Sequence, residues 1–174
     1  MKVQAVYKSK IPFYTAREGA AALYCSDGRY GEQMDEFLHQ GCGWPRYDRL
    51  AIPGGPAVLS GEISVLWEES FLRKYLEFLV RAHKLRHLAM IAHEGCGFYH
   101  DWLRLAPESI QQRQLRDLQR AQQQLRLNLP GLQVRMYFAR NREDRVQFFD
   151  IGAAALTPEQ AQDPTPAPRA PRRC

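Results

Sequence analysis

No apolar run in the sequence approaches the ~20 residues that a membrane-spanning helix requires. The opening Met-Lys-Val-Gln-Ala-Val-Tyr-Lys-Ser-Lys has no apolar stretch behind its charge, so it does not read as a secretory signal. The expected compartment is the cytoplasm, with no membrane partner. Cysteine is scarce: 4 in 174 residues, at positions 25, 42, 96 and 174. A chain of this length without a leader does not read as a disulfide scaffold, so the thiols are expected to be reduced, catalytic or metal-bound. No internal repeat is visible, which argues against a solenoid or propeller. Neither sign of charge dominates. Lys and Arg outnumber Asp and Glu by 24 to 19, and a net of +5 is a weak hint of anionic partners at most. Arg113, Arg116, Arg120 and Arg126 lie among glutamines without interleaved aromatics, so a solvated helix face is expected there and no nucleic-acid partner. Packing residues are missing from the last stretch, residues 157–174, where Pro158, Pro164, Pro166, Pro168 and Pro171 deny a regular ladder. It is expected to be a mobile tail behind a single α/β domain spanning residues 1–156.

The body of the chain alternates two kinds of apolar pattern. Ala20–Cys25, Arg49–Ile52 and Leu88–Ala92 are short runs of buried-strand type. Between them, Tyr30–Gln40 places Met34, Phe37 and Leu38 on one helical face. Ile63–Leu85 repeats apolar residues at helical spacing, with Trp67, Phe71, Leu72, Tyr75, Leu79 and Val80 as its apolar positions. A third helix is expected over 108–127, with Ile110, Leu115, Leu118 and Leu125 inward and Pro130-Gly131 as its stop. Val134–Phe138 and Val146–Ile151 are the last strands, joined by the polar turn Asn141-Arg142-Glu143-Asp144. Strands separated by helices imply right-handed crossovers and a mostly parallel central sheet. The expected architecture is therefore α/β, with about five strands, flanking helices and the last strand antiparallel.

Chemistry concentrates at two strand ends. Cys25-Ser26-Asp27-Gly28-Arg29 ends the first strand, and His93-Glu94-Gly95-Cys96-Gly97 ends the Leu88–Ala92 strand. In open α/β sheets, sites form outside the carboxyl ends of strands where strand order reverses. If the two strands are neighbours, Cys25, His93 and Cys96 converge. Two thiolates and an imidazole suit zinc, and three protein ligands leave a fourth position open for water, whose pKa can then fall to ~7. Asp27 and Arg29 share a face with Cys25 in an extended turn. The guanidinium can hold the carboxylate ionised, either to orient the zinc hydroxide or to let Asp27 close the fourth position itself. Cys42 reads as a loop thiol, and His39, His83 and His87 as solvent-facing. His100 is a candidate proton shuttle.

Cys-x-Asp-x-Arg followed by His-x-x-Cys-Gly resembles the β-class carbonic anhydrases, and the likeness runs from about Ala20 to Ile151. The resemblance implies a zinc lyase that interconverts carbon dioxide and bicarbonate. Cys25, His93 and Cys96 would hold the zinc. Asp27 and Arg29 would be the orienting dyad, and the Gly97 amide would help hold substrate. It also implies a homodimer or higher homo-oligomer. Where the family carries a loop rich in side-chain amides, this chain has Ile52-Pro53-Gly54-Gly55-Pro56, and the family's helical arm before the first strand is short or absent. Those differences keep two alternatives open: hydrolysis of carbonyl sulfide or carbon disulfide at the same site, and a non-catalytic zinc protein closed by Asp27.

Overall fold

The structure is a computed structural model that describes residues 4–62 and 66–152, without the side chains of 66–68. The expected tail at 157–174 and the first turn of the helix expected from Ile63 lie outside the described residues.

Five strands form one sheet: β1 (Ala20–Cys25), β2 (Asp48–Ile52), β3 (His87–His93), β4 (Gln133–Arg142) and β5 (Arg145–Asp150). Their order is β2-β1-β3-β4-β5, parallel except for the antiparallel β4–β5 pair. Three helices join them: α1 (Gly31–Glu36, extended by a π-turn through Gly41), α2 (Leu66–Ala82) and α3 (Pro107–Asn128). The architecture is α/β, as the alternating patterns imply. β4 and β5 meet through Glu143-Asp144, both at positive φ, which is what a two-residue hairpin turn demands.

The central strands are apolar throughout because both faces are covered. Every residue of β1 is buried. On one face, Ala21 and Leu23 pack with Leu88, Met90, Met136 and Phe138 against α2 and α3. On the other, Ala22 and Tyr24 pack with Ala89, Ile91 and Tyr137 against Met34 and Leu38. The chain leaves β1 for β2, then crosses back over β1 to reach β3. Right-handed crossovers in opposite directions put α1 and α2 on opposite faces. Strand order therefore reverses at β1 and β3, and their carboxyl ends border the crevice.

α2 turns a different face inward from the one its aromatics suggest. Leu72, Leu76 and Leu79 are its buried positions, and each such side chain contributes roughly 2 kcal/mol of burial. Phe71, Tyr75 and Phe78 stand exposed, at 70, 41 and 47%. The Pro53–Pro56 segment is also more than a strand stop. It leads into a buried 3-10 turn, Gly55–Leu59, wedged under α2 and α3. Gly55 has φ +52, and a Cβ there would sit 2.7 Å from the Tyr24 carbonyl carbon, so only glycine lets this turn reach β1. Within α3, Ile110, Leu118 and Leu125 are buried as expected, but so are Gln114, Arg116 and Asp117. His83, expected in solvent, is half-buried with its Nδ1 2.7 Å from Asp48. Among the described residues, no helix is long and apolar enough to cross a membrane.

Candidate metal centre

The sheet brings the two strand ends together, and the turns beyond them are pinned by continuing ladders. Past Cys25, the Ser26 amide donates to Ile52 O at 3.1 Å; past His93, the Glu94 amide donates to Ala139 O at 2.9 Å. The Arg29 guanidinium crosses between the turns to Gly95 O at 3.3 Å. The result is a cluster in which the ligand atoms of Cys25, His93 and Cys96 all lie within 4.8 Å of one another, each residue buried.

The donor set fits a tetrahedral metal. Zinc–sulfur bonds of ~2.3 Å at tetrahedral angles place two thiolates about 3.8 Å apart, and the Cys25 and Cys96 sulfurs are 3.7 Å apart. Both cysteines are free thiols. Cys96 Sγ–H donates to Cys25 Sγ, and this bond holds the Cys25 thiol well below its ordinary range. The same contact, with burial, pushes Cys96 up, so one proton serves the pair. His93 Nδ1 lies 2.9 Å from the Glu94 carbonyl, which can only accept, so Nδ1 carries the proton. Nε2 is left as a buried ring nitrogen without a hydrogen bond of good geometry, close enough to Cys25 for His93 to help lower that thiol. A buried acceptor with no donor needs a reason, and a metal bound by the neighbouring thiolates supplies one. This is the arrangement of a metal-ligating histidine whose second nitrogen is anchored by a carbonyl.

Asp27 accepts the Arg29 side chain through two bonds, Nη2 to Oδ2 at 2.5 Å and Nε to Oδ1 at 3.0 Å, and takes the Arg29 amide at 3.1 Å. The Arg29 side-chain bond lowers the Asp27 carboxyl to about 2 and raises Arg29 in turn. Asp27 therefore stays ionised beside the cluster. It lines a cavity of about 400 Å³ with Cys25, Gly97, Pro53, Phe98 and Trp102.

Every sequence-expected site residue lies at this crevice, Cys25, Asp27, Arg29, His93, Cys96 and Gly97. Cys42 does not join them; its thiol points to the Tyr137 hydroxyl at 4.0 Å. His100 sits nearby on the π-turn after Gly97, largely exposed and 2.5 Å from Asp101 Oδ1.

Sequence reasoning missed five participants, Phe98, Trp102, Gln114, Tyr99 and Asp117. One side of the cavity is apolar because Phe98 and Trp102 stack in parallel, centroids 6.4 Å apart, from one face of the π-turn Phe98–Trp102, opposite the polar Ser26 and Asp27. Their spacing of four was the available signal. Gln114 donates Nε2 to His93 O at 2.8 Å. Its place midway between Ile110 and Leu118, on the same inward stripe of α3, could have shown it to be buried. Tyr99, three residues beyond Cys96, donates its hydroxyl to the fully buried Asp117 at 2.8 Å, which also takes Arg113 Nε at 3.0 Å. This pair ties the Cys96 turn to α3.

No protein-family model and no curated protein sequence matches the chain. Among solved structures, the fold is similar to a β-carbonic anhydrase, isoform I, from the protozoan Trichomonas vaginalis. The TM-score is 0.53 at 14% identity, covering 80% of this chain and 87% of that one. The chain has a β-carbonic-anhydrase-like fold, with a possible Cys-His-Cys metal site at the crevice of its sheet.

Proposed function

We propose that the chain is a zinc lyase of the β-carbonic anhydrase type, interconverting carbon dioxide and bicarbonate. The observation that carries the reading is the convergence of Cys25, His93 and Cys96 at the switch point of the sheet. Zinc, when bound there, supplies a Lewis acid at which water ionises near neutral pH. Cys25 and Cys96 as thiolates and His93 through Nε2 would hold it. Asp27, kept anionic by Arg29, is placed on the cavity wall to accept a hydrogen bond from the attacking water and aim its lone pair. Gly97 lines the same cavity, where its amide would help hold substrate. The apolar Pro53, Phe98 and Trp102 limit competing water and suit a small, neutral, linear molecule. Asp27 is committed to Arg29 and is not one of the three converging donors, which favours an open fourth position over closure.

A second reading keeps the site and changes the substrate to carbonyl sulfide or carbon disulfide. The apolar wall that stands where side-chain amides are expected favours it.

A second copy of the chain is the partner we assign. An apolar groove of about 750 Å³ runs from Ala51 and Ile52 on the free edge of the sheet to Phe71 and Tyr75, and shares Pro53, Phe98 and Trp102 with the site cavity. The segment before β1 carries apolar side chains with no packing of their own, Val6, Ile11 and Phe13 at 102, 78 and 91% exposure. The apolar side chains of a second copy's segment would find in this groove the burial they lack.

The test is carbon dioxide hydration by stopped flow on protein of measured zinc content, beside Cys96→Ser. Hydration above buffer that disappears with the metal in Cys96→Ser supports the first reading. Sulfide release without hydration moves the assignment to the second. A zinc-loaded chain inert to all three substrates overturns both.

A further inference from the structure

Tyr30 contributes no atom to the donor set, yet it reaches the histidine of that set in two ways. It follows directly on the Cys25–Arg29 turn, where its amide donates to Asp27 O at 3.1 Å. Its ring lies against the imidazole of His93, centroids 4.3 Å apart and planes tilted by 44°. Its hydroxyl donates to Glu94 O at 2.9 Å. That oxygen is the one His93 Nδ1–H also uses, at 2.9 Å.

A carbonyl oxygen has two lone pairs and can take both donors. The consequence is geometric. The Glu94 carbonyl is the acceptor that holds the proton on Nδ1 of His93, and it belongs to a turn just past the end of β3. If its peptide rotates, Nδ1–H loses its acceptor. The imidazole can then move its proton to Nε2, the nitrogen that must face the thiols bare. The Glu94 side chain is held on the far side, by the Asn141 amide at 3.2 Å and Arg142 at 3.1 Å. Gln114 holds the preceding carbonyl, His93 O. Tyr30 completes the set by gripping the Glu94 carbonyl itself, and its ring face blocks a flip of the imidazole.

We propose that Tyr30 is a positioning residue for His93, holding the Glu94 carbonyl so that the Nε2 lone pair points at Cys25 and Cys96. The proposal rests on the reading of His93 as a metal ligand, but the tautomer it predicts is readable without metal. Tyr30→Phe keeps the ring contact and removes the hydroxyl alone.

The experiment records two-bond proton–nitrogen NMR spectra of reduced, metal-free full-length protein near pH 8. Zinc affinity is measured beside it, by competition with a chromogenic chelator. The expected result is a single Nδ1–H tautomer of His93 in the wild type and a tautomer mixture in Tyr30→Phe. Zinc affinity in the variant falls about tenfold, as loss of an outer-shell partner typically produces. An unchanged tautomer in Tyr30→Phe overturns the proposal, whether or not affinity falls, because a merely structural loss would leave the tautomer alone. A wild-type spectrum dominated by Nε2–H overturns it before any variant is made. A wild type that binds no zinc but shows the tautomer switch sinks the zinc reading and leaves the Tyr30 assignment standing.

Discussion

Asp27 and Arg29 are two residues apart and meet through a fork of two side-chain bonds, Nη2–Oδ2 at 2.5 Å and Nε–Oδ1 at 3.0 Å. A bidentate guanidinium fixes the plane of a carboxylate as well as its charge. Arg29 itself is 71% exposed and Asp27 only 17%, so the arginine works as a clamp from solvent on a carboxylate facing the cavity. That geometry suits the orienting role proposed for the pair.

Removing the charge should therefore separate binding from turnover. Asp27→Asn is expected to retain zinc and lose carbon dioxide hydration by about two orders of magnitude, the ordinary worth of a positioned proton-accepting group. Metal content and stopped-flow rates on the same sample check this. Normal rates in the variant would remove Asp27 from the mechanism.

The same pair gives a signed pH dependence of stability. The folded carboxyl titrates at about 2 against an ordinary value of 3.8. A carboxyl depressed in the fold binds fewer protons there than in the unfolded chain, so its stabilisation is full above pH 3.8 and is lost as pH falls toward 2. Wild type and Asp27→Asn should differ in urea midpoint at neutral pH and converge in that acid window. With Arg29 largely in water, the difference is expected to be small.

Much of this candidate site was legible in the sequence because two of its three donors, Cys25 and His93, end strands. Cys25 and His93 each close a continuous apolar run, and a buried strand in an α/β sheet announces its own carboxyl end. The α2 face was not legible. Phe71, Tyr75 and Phe78 look like core by composition, but helical periodicity alone cannot choose between two adjacent apolar stripes one residue apart, and the leucines at 72, 76 and 79 won the interior. The outer shell was hidden for another reason. Gln114 and Asp117 are polar residues on a helix rich in solvated Gln and Arg, and their partners beyond that helix come from the His93 and Tyr99 turns.

Metal binding should appear as stability. A ligand that binds only the folded chain stabilises it by about 2.7 kcal/mol at a hundredfold excess over its dissociation constant. Thermal unfolding with added zinc is expected to shift upward in the wild type and to stay put in Cys25→Ser and Cys96→Ser. An equal shift in the serine variants would place the metal elsewhere.

The groove beside the site should decide the oligomeric state. Phe71 and Tyr75 stack with ring centroids 6.2 Å apart on the outer face of α2, at the groove that borders the site cavity through Phe98 and Trp102. A double substitution Phe71→Glu and Tyr75→Glu adds two charges to an apolar surface that a second copy would desolvate, without touching the buried leucines. Sedimentation is expected to give a dimer or larger species for the wild type and a monomer of unchanged unfolding midpoint for the variant. A wild-type monomer, or an unshifted oligomer in the variant, would take the second copy out of this groove.

Asp117 carries the heaviest structural load near the site. It is fully buried, and its donors include Tyr99 from the Cys96 turn and Arg113 from its own helix. Burial raises its carboxyl above the ordinary 3.8, while Arg113 and the Tyr99 hydroxyl pull the other way. Asp117→Ala strands the buried Tyr99 phenol and leaves Arg113 with Glu62, 3.5 Å away, as its anion, a loss of about 1–3 kcal/mol. Asp117→Asn keeps an acceptor for Tyr99 and should cost less. Urea unfolding of the two variants measures the order. If the Tyr99 bond also sets the Cys96 turn, Asp117→Ala loses zinc affinity beyond what Asp117→Asn loses, while equal affinities would confine Asp117 to stability.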